Sequence, residues 1–484
     1  RRRRRISLIR PLASLRERSR KPDMDQTEAL PDDTLASILG RLPPCDLAAS
    51  RCVRKTWRAV VDAHRLLLPH SLHGIFINYI DCESPRCFSR PSTQKPAIDC
   101  NLDFLPGYAE DFDSIVDHCN GLLLYESDMN LCSYVVNPAT RQWGRLHYKT
   151  DHRHHLAYLA FDPAVSPHYE VLLIPCVPDK VDPAQDSMEW PPSSWVFDVF
   201  SSSTRKWLKR SFIRQGEAAG TVTDVRVDPL EPKSMCGGGP RRRYSAYWRG
   251  SLYVHCRGAF VVRLSLSDSK YQVIKMPIDI AERKQDQYLG KSEKGVYLAA
   301  IIYDKHILQV YTLVESSRHI DWVLKYHVDL EPCATADFRI DTDELEGFEK
   351  TWTLDGGRRE WRWGEADEEE GEGENGGMLI PENLEWDSDD DNVLNVKADY
   401  GCFYGGNVYF LGFHPYKEVV FLGLSFTGMA YHLESSKVQY LGDMRPKDYY
   451  HGHANGIYDS FPYTPCMIGR LQSHASRSRR RRRS

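Results

Sequence analysis

The chain has 484 residues, a formal net charge of −4, a hydrophobic fraction of 41%, and 26 Tyr, 17 Phe and 11 Trp. Such content excludes a disordered or fibrous chain and supplies core for about two to three domains. The charge is unevenly placed: "RRRRR" opens the sequence, "SRSRRRRRS" closes it and "GEADEEEGEGENGG" lies near residue 370, so the net value describes local patches.

What is missing narrows the class further. No apolar run approaches the roughly 20 residues that cross a bilayer, "GVYLAAIIY" being among the longest. No Asn-x-Ser/Thr site occurs, and the 13 Cys lack the paired spacing of a disulfide framework. The expectation is a protein of the nucleus, the cytoplasm or both, without membrane contact. "RRRRRISLIRPLASLRERSRK" can be read as a transit peptide or as sequence upstream of a start at Met24; residues 1–26 are assigned as a basic, disordered extension.

The first ordered stretch is "LPDDTLASILGRLPPCDLAASRCVRKTWRAVVD", residues 30–62. Leu35, Ile38, Leu39 and Leu42 recur at helical spacing. Asp32 and Asp33 suit the first turn of that helix, and Gly40, Pro43 and Pro44 end it. A second short helix is expected from Asp46, carrying Leu47, Ala48 and Val53, and a third places Trp57, Val60, Val61 and His64 on one face. About 40 residues cannot bury so many apolar side chains internally, so the surplus is covered by the rest of the chain or by a partner.

In order and spacing, the Leu-Pro, Leu…Ile-Leu…Leu-Pro and Leu-Ala…Arg-Cys-Val…Trp-Arg blocks of this stretch resemble the F-box. The resemblance implies binding to the Skp adaptor of a cullin-based ubiquitin ligase. Carried over position by position, Leu30, Pro31, Leu35, Ile38, Leu39, Leu42, Leu47, Ala48, Cys52, Val53 and Trp57 would be the adaptor-facing or core positions. The F-box is assigned to residues 27–70.

After residue 70 the pattern turns strand-rich. "YVVNPATRQWGRL", "WVFDVFSSSTRKWLKRS", "FVVRLSLSDSKYQVIKM", "LQVYTLVESSRHIDWVLKY" and "FLGLSFTGMAYHLESSKVQYLG" each read as strand, polar turn, strand with an aromatic. Trp143 to Trp207 and Trp207 to Tyr271 are 64 residues each, Tyr271 to Trp322 is 51, and Trp322 to Tyr440 is 118. Such periods predict propeller blades, with one hairpin hidden or interrupted in the long interval; a β-sandwich is the alternative. "HCNGLLLYE", "AFDPAVSPHYEVLLI" and "WVFDVFSSSTRKW" also resemble the F-box-associated, kelch-like regions of plant F-box families, although of "YWRGSLYV" and "YGGNVYFLG" only the second carries a Gly pair. The predicted architecture is a small three-helix F-box followed by an all-β, propeller-like domain over residues 71–468. An acidic disordered insertion lies near 364–392, and a basic tail covers 469–484.

Candidate chemistry is sparse. His147, His152, His154 and His155 lack any companion metal motif and read as a polar loop before a strand. Cys82 and Cys87 read as free thiols on a loop, and "GEGENGG" lacks the Lys-Ser/Thr of a phosphate loop. His118 and Cys119, adjacent in a strand, are expected on opposite faces and so not as a catalytic pair. The terminal Arg runs suit nuclear import or a solvated tail, and no motif supports specific nucleic-acid binding. Neither a catalytic residue, a metal nor a cofactor is expected.

The resemblance implies a non-catalytic substrate-recognition subunit of an SCF-type ubiquitin ligase, bound to a Skp-type adaptor and through it to cullin, with an unknown protein target. Arg241, Arg242 and Arg243 are candidate target contacts. The alternative is an interaction or lectin-like β-domain working outside any ligase.

Overall fold

The computed structural model describes residues 30–40, 42, 47, 50–51, 53–64, 66, 72–80, 82, 84–90, 98, 100, 102–105, 113–127, 132–147, 155–175, 186–227, 244–277, 286–292, 294–316, 319–335, 351–355, 393–394, 408–424, 426–446, 456–467 and 471. Two compact units divide the chain, Arg1–Leu66 and Leu67–Ser484.

In the first unit, α1 (Asp32–Leu39) packs against α2 (Lys55–Ala63). Pro31 stands at the N-cap of α1 without a side-chain cap, so the carboxylates of Asp32 and Asp33 meet the helix's positive end. The helix stops at Gly40, whose N–H still reaches the Ala36 carbonyl at 2.8 Å. Of the helix expected from Asp46, Leu47 and Ser50 are helical, and the Arg51 N–H bonds the Leu47 carbonyl at 3.2 Å. His64 lies one residue past the end of α2.

The second unit is built almost wholly from antiparallel strands. It opens with β1 (Gly74–Tyr79) and β2 (Arg86–Ser89). A first meander runs through β3 (Asp113–Cys119), β4 (Leu122–Ser127), β5 (Cys132–Asn137) and β6 (Gln142–Leu146). Next come β7 (His155–Phe161), β8 (Tyr169–Pro175), the short β9 (Glu189–Trp190), β10 (Ser194–Ser201), β11 (Lys206–Gln215) and β12 (Gly220–Thr221). Strands β7, β8, β10 and β11 form the second meander, and β9 pairs with β12 apart from it. The third consists of β13 (Ser245–Trp248), β14 (Ser251–His255), β15 (Phe260–Ser265) and β16 (Lys270–Lys275), and a short parallel pairing of β16 with β11 joins the second and third meanders edge to edge. The fourth is β17 (Asp286–Ser292), β18 (Gly295–Ile302), β19 (Ile307–Glu315) and β20 (Ile320–Asp329). After β21 (Thr353–Asp355) and β22 (Val393–Leu394), the fifth comprises β23 (Val408–Phe413), β24 (Val419–Leu424), β25 (Thr427–His432) and β26 (Val438–Asp443). Strand β27 (Ile457–Tyr463) ends the series.

A sixth sheet joins distant pieces in the order β21-β2-β1-β27, with Gly74 opposite Tyr463 and Cys87 opposite Asp355. Apolar clusters then link each sheet to the next. Phe76 and Phe461 of the sixth sheet pack with Ile115 and Tyr125 of the first, and Leu124 of the first with Leu159 and Phe200 of the second. Phe212 of the second meets Leu252 of the third, and Ile274 of the third meets Leu298 of the fourth. Val310 of the fourth meets Phe410 of the fifth, and Phe421 of the fifth returns to Ile75 and Phe88 of the sixth. The cycle closes on itself, so each sheet has a covered neighbour on both faces. This arrangement is a ring of sheets, not the two layers of a sandwich.

Local sequence explains the turns. Asn120-Gly121 and Arg249-Gly250 bridge the first and second strands of their meanders with φ of 46° and 90°, and 46° and 79°. Two-residue turns with both angles positive match the right-handed strand twist. Before the fourth strand, Arg141, Arg205, Ser269 and Ser436 repeat a left-handed residue at φ of 50°, 55°, 56° and 56°. The hairpins expected from sequence fall on these outer strands, and Trp143, Trp207, Tyr271, Trp322 and Tyr440 all lie in the fourth strand of a meander. The long interval differs from the expectation: among the described residues it holds no extra hairpin, and Thr353–Asp355 instead edges the sixth sheet. Cys87 is not on a loop but buried in β2, because its neighbours there pair with β1 and β21.

Candidate functional site

Two places concentrate functional side chains, one in each unit. In the helical unit Leu35, Leu39 and Leu47 are buried, as are Val60 and Val61. Leu30, Leu42 and Trp57 are half-buried, while Pro31 is exposed. Among the described residues of this unit, Ile38 and Val53 are the large apolar side chains left to solvent, at 49% and 60% exposure. The helical stripe therefore divides: one set holds the helices, and Ile38 and Val53 are free to be covered. Ala48 and Cys52 lie outside the described residues, as do Arg241, Arg242, Arg243 and the acidic stretch 364–392.

In the ring, β3, β13, β17, β23 and β27 line a pocket of about 80 Å³. Asp117 joins three inner strands there: its carboxylate accepts the Leu159 N–H at 2.7 Å and the Ser245 hydroxyl at 3.0 Å. Burial raises its pKa to about 7 against those hydrogen bonds. The Lys291 ammonium donates to Asn120 Oδ1 at 2.5 Å, and burial lowers its pKa. Tyr244 donates to Asp459 at 3.1 Å on the same wall.

His118 and Cys119 both border this pocket while turning to different neighbours, the His118 ring to Phe461 of the sixth sheet and the Cys119 thiol to Phe161 of the second meander. Their chemistry is quiet. Burial, reinforced by the Lys291 charge, lowers His118 to about 4, and burial pushes the Cys119 thiol up to about 12. At neutral pH Cys119 is a thiol donating to the Phe161 carbonyl at 3.3 Å, not a thiolate nucleophile. Of the histidine group, His155 opens β7 and His147 follows β6, whereas His152 and His154 are outside the described residues. Among the described residues no three His, Cys, Asp or Glu side chains stand where they could hold a metal, and no helix is long and apolar enough to cross a membrane.

Sequence reasoning missed Asp117 and Lys291. Each follows apolar residues of its strand, in "SIVDHC" and "YLGKS", and a charge interrupting such a run is the signal that could have found them.

Comparison with known proteins places the first unit. Residues 28–68 match the F-box domain, so the chain carries one in its helical unit. An F-box protein of Arabidopsis thaliana is 27% identical over 332 residues, spanning 63% of this chain and 71% of the relative. Another from that plant is 28% identical over 134 residues, spanning 24% of this chain and 82% of the relative. The chain is thus homologous to plant F-box proteins. Among solved structures, Hsv2 of Kluyveromyces lactis overlaps 54% of this chain and 74% of that protein at 10% identity and a TM-score of 0.28. YCF48 bound to D1 peptide overlaps 77% and 82% at 8% identity and a TM-score of 0.29. Likenesses this loose carry nothing about fold or ligand.

Proposed function

We propose that this chain is the substrate-recognition subunit of an SCF-type ubiquitin ligase. Its helices hold a Skp-type adaptor and, through it, cullin; its second unit is a six-bladed propeller whose loops hold the protein target. The observation that carries the reading is the F-box match at residues 28–68, with Ile38 and Val53 standing uncovered within it. The ring of six meander-like groups of strands supports the propeller half, since each buries its faces on its neighbours in the ring. The role is non-catalytic, without metal or cofactor, and is exercised in the nucleus or cytoplasm. Rate enhancement comes from proximity, because a tethered target lysine meets the charged ubiquitin carrier at high effective concentration.

The test is co-purification of the tagged full chain with adaptor and cullin from plant cells, beside Ile38→Asp plus Val53→Asp. Covering each of these side chains removes on the order of 70 Å² of apolar surface, about 2 kcal/mol apiece. The parent should bring down both partners and the double variant neither, with the ring's melting unchanged. Adaptor recovered without cullin would favour the non-ligase interaction role, and undiminished capture by the variant would remove this face from the interface.

A further inference from the structure

Between the third and fourth sheets lies a polar cleft. Trp248 and Arg249 form one wall at the β13–β14 turn, with Arg263 behind them on β15; Lys294 precedes β18 and Glu315 ends β19 opposite. Glu315 is already satisfied: Arg263 meets it at 3.2 Å and the Tyr253 hydroxyl donates to it at 2.7 Å. Lys294 is shared with Glu434 at 3.0 Å and Glu418 at 3.8 Å.

Arg249 differs from both. Its guanidinium lies 5.3 Å over the Trp248 ring, and among the described residues no carboxylate pairs with it. It occupies the turn position that Asn120 fills in the first sheet, at the same φ of 46°, where a long side chain is conformationally disfavoured. A guanidinium stacked on an indole keeps its N–H edge available for a planar, bidentate partner. Glu315 in the opposite wall repels a doubly charged phosphate more than a singly charged carboxylate. Val296 and Leu313 add an apolar floor that suits a side chain better than a nucleic-acid backbone.

We propose that this cleft binds an acidic segment of the target protein, Arg249 taking one carboxylate in a fork and Lys294 supplying a second, weaker attraction. The inference rests on the receptor reading and names the chemistry of its target.

The experiment titrates the purified full chain with a fluorescein-labelled peptide of alternating Glu and Gly. Its Gln-Gly counterpart and a single-stranded DNA of equal charge serve as parallel arms, read by anisotropy at two salt concentrations. Arg249→Gln alters an exposed turn and should fold normally; Lys209→Gln removes an exposed lysine of β11 as a charge control. The Glu peptide should bind and the Gln peptide should not. Arg249→Gln should weaken binding about tenfold or more, the worth of a charge-assisted hydrogen bond, while Lys209→Gln leaves it unchanged. Equal weakening by both variants, retention of binding by Arg249→Gln, or tighter binding of the DNA overturns the proposal. Adaptor and cullin capture by the same preparations separates the two readings. Partners captured without peptide binding removes the cleft inference alone; peptide binding without cullin removes the ligase reading alone.

Discussion

Replacing Asp117 by Asn should make the protein more stable, and by an amount that depends on pH. The buried carboxylate titrates at about 7 in the fold against an ordinary value of 3.8. Below pH 4 both states hold the proton and the group favours neither. As the pH climbs toward 7 the unfolded chain ionises while the fold resists, so stability drains away and the loss is complete above 7. At about 1.4 kcal/mol per pH unit, the gap of roughly three units amounts to about 4 kcal/mol. An Asn at the same place keeps both contacts: its oxygen accepts the Leu159 N–H and its amide donates to the Ser245 hydroxyl. The variant's advantage should therefore grow from about 1 kcal/mol at pH 4.5 to about 4 kcal/mol at pH 8. Urea unfolding of parent and variant at pH 4.5, 6 and 8, followed by tryptophan fluorescence, measures this as a difference in which other titrating groups cancel. An advantage that is constant across that range would refute the account of Asp117 as a carboxylate ionising against its surroundings.

Three further outcomes are expected. Phe461→Ala, which empties a site 3% exposed where β27 meets Phe76, should cost about 3–5 kcal/mol by denaturant unfolding; a cost below about 1 kcal/mol would deny that strand a stabilising part. Gly216→Ala, at φ +89° with open space around it, should cost about 1 kcal/mol, whereas Gly121→Ala, at φ +90° with its new Cβ 2.4 Å from that of Cys466, should cost several-fold more in the same assay. Glu418 receives Tyr297 at 2.7 Å, Lys325 at 2.9 Å and Tyr326 at 3.2 Å. Burial alone would raise its pKa, but the Tyr297 and Lys325 contacts overcome that and hold it below its ordinary 4.5. Lys325→Met should thus cost about 2–3 kcal/mol at pH 7 and progressively less as the pH falls below 4.5, checked by thermal melts at both ends.

The hairpins of the ring were readable because each is local: a polar turn with a left-handed residue joins two strands whose alternation is visible in ten or so residues, as in "NPATRQW". The F-box was readable for the same reason, a helical stripe bounded by prolines. Two things were not. The sixth sheet pairs Gly74 with Tyr463 and Cys87 with Asp355, and no periodicity connects residues so far apart in the chain. The division of the helical stripe into buried Leu39 and exposed Ile38 was equally hidden, since neighbours at helical spacing look alike until the second helix is packed. In the pocket, His118 and Cys119 were noticed for their reactivity, whereas Asp117, one residue earlier, makes the contacts that join strands.

The pairing of β1 with β27 also sets a clock on synthesis. Strand β1 leaves the ribosome early, but its partner follows 389 residues later, from Gly74 to Tyr463. At about 5–20 residues per second that is roughly 20–80 s during which the edge of β1 away from β2 has no partner strand. Meanders one to five can each zip up as they emerge, whereas the sixth sheet is the last to exist and depends on the arrival of the final strand. A nascent or truncated chain lacking β27 therefore leaves that edge of β1 unpaired and Phe76 without Phe461 and Tyr463, the kind of open strand edge that chaperones hold and that quality control reads as unfinished.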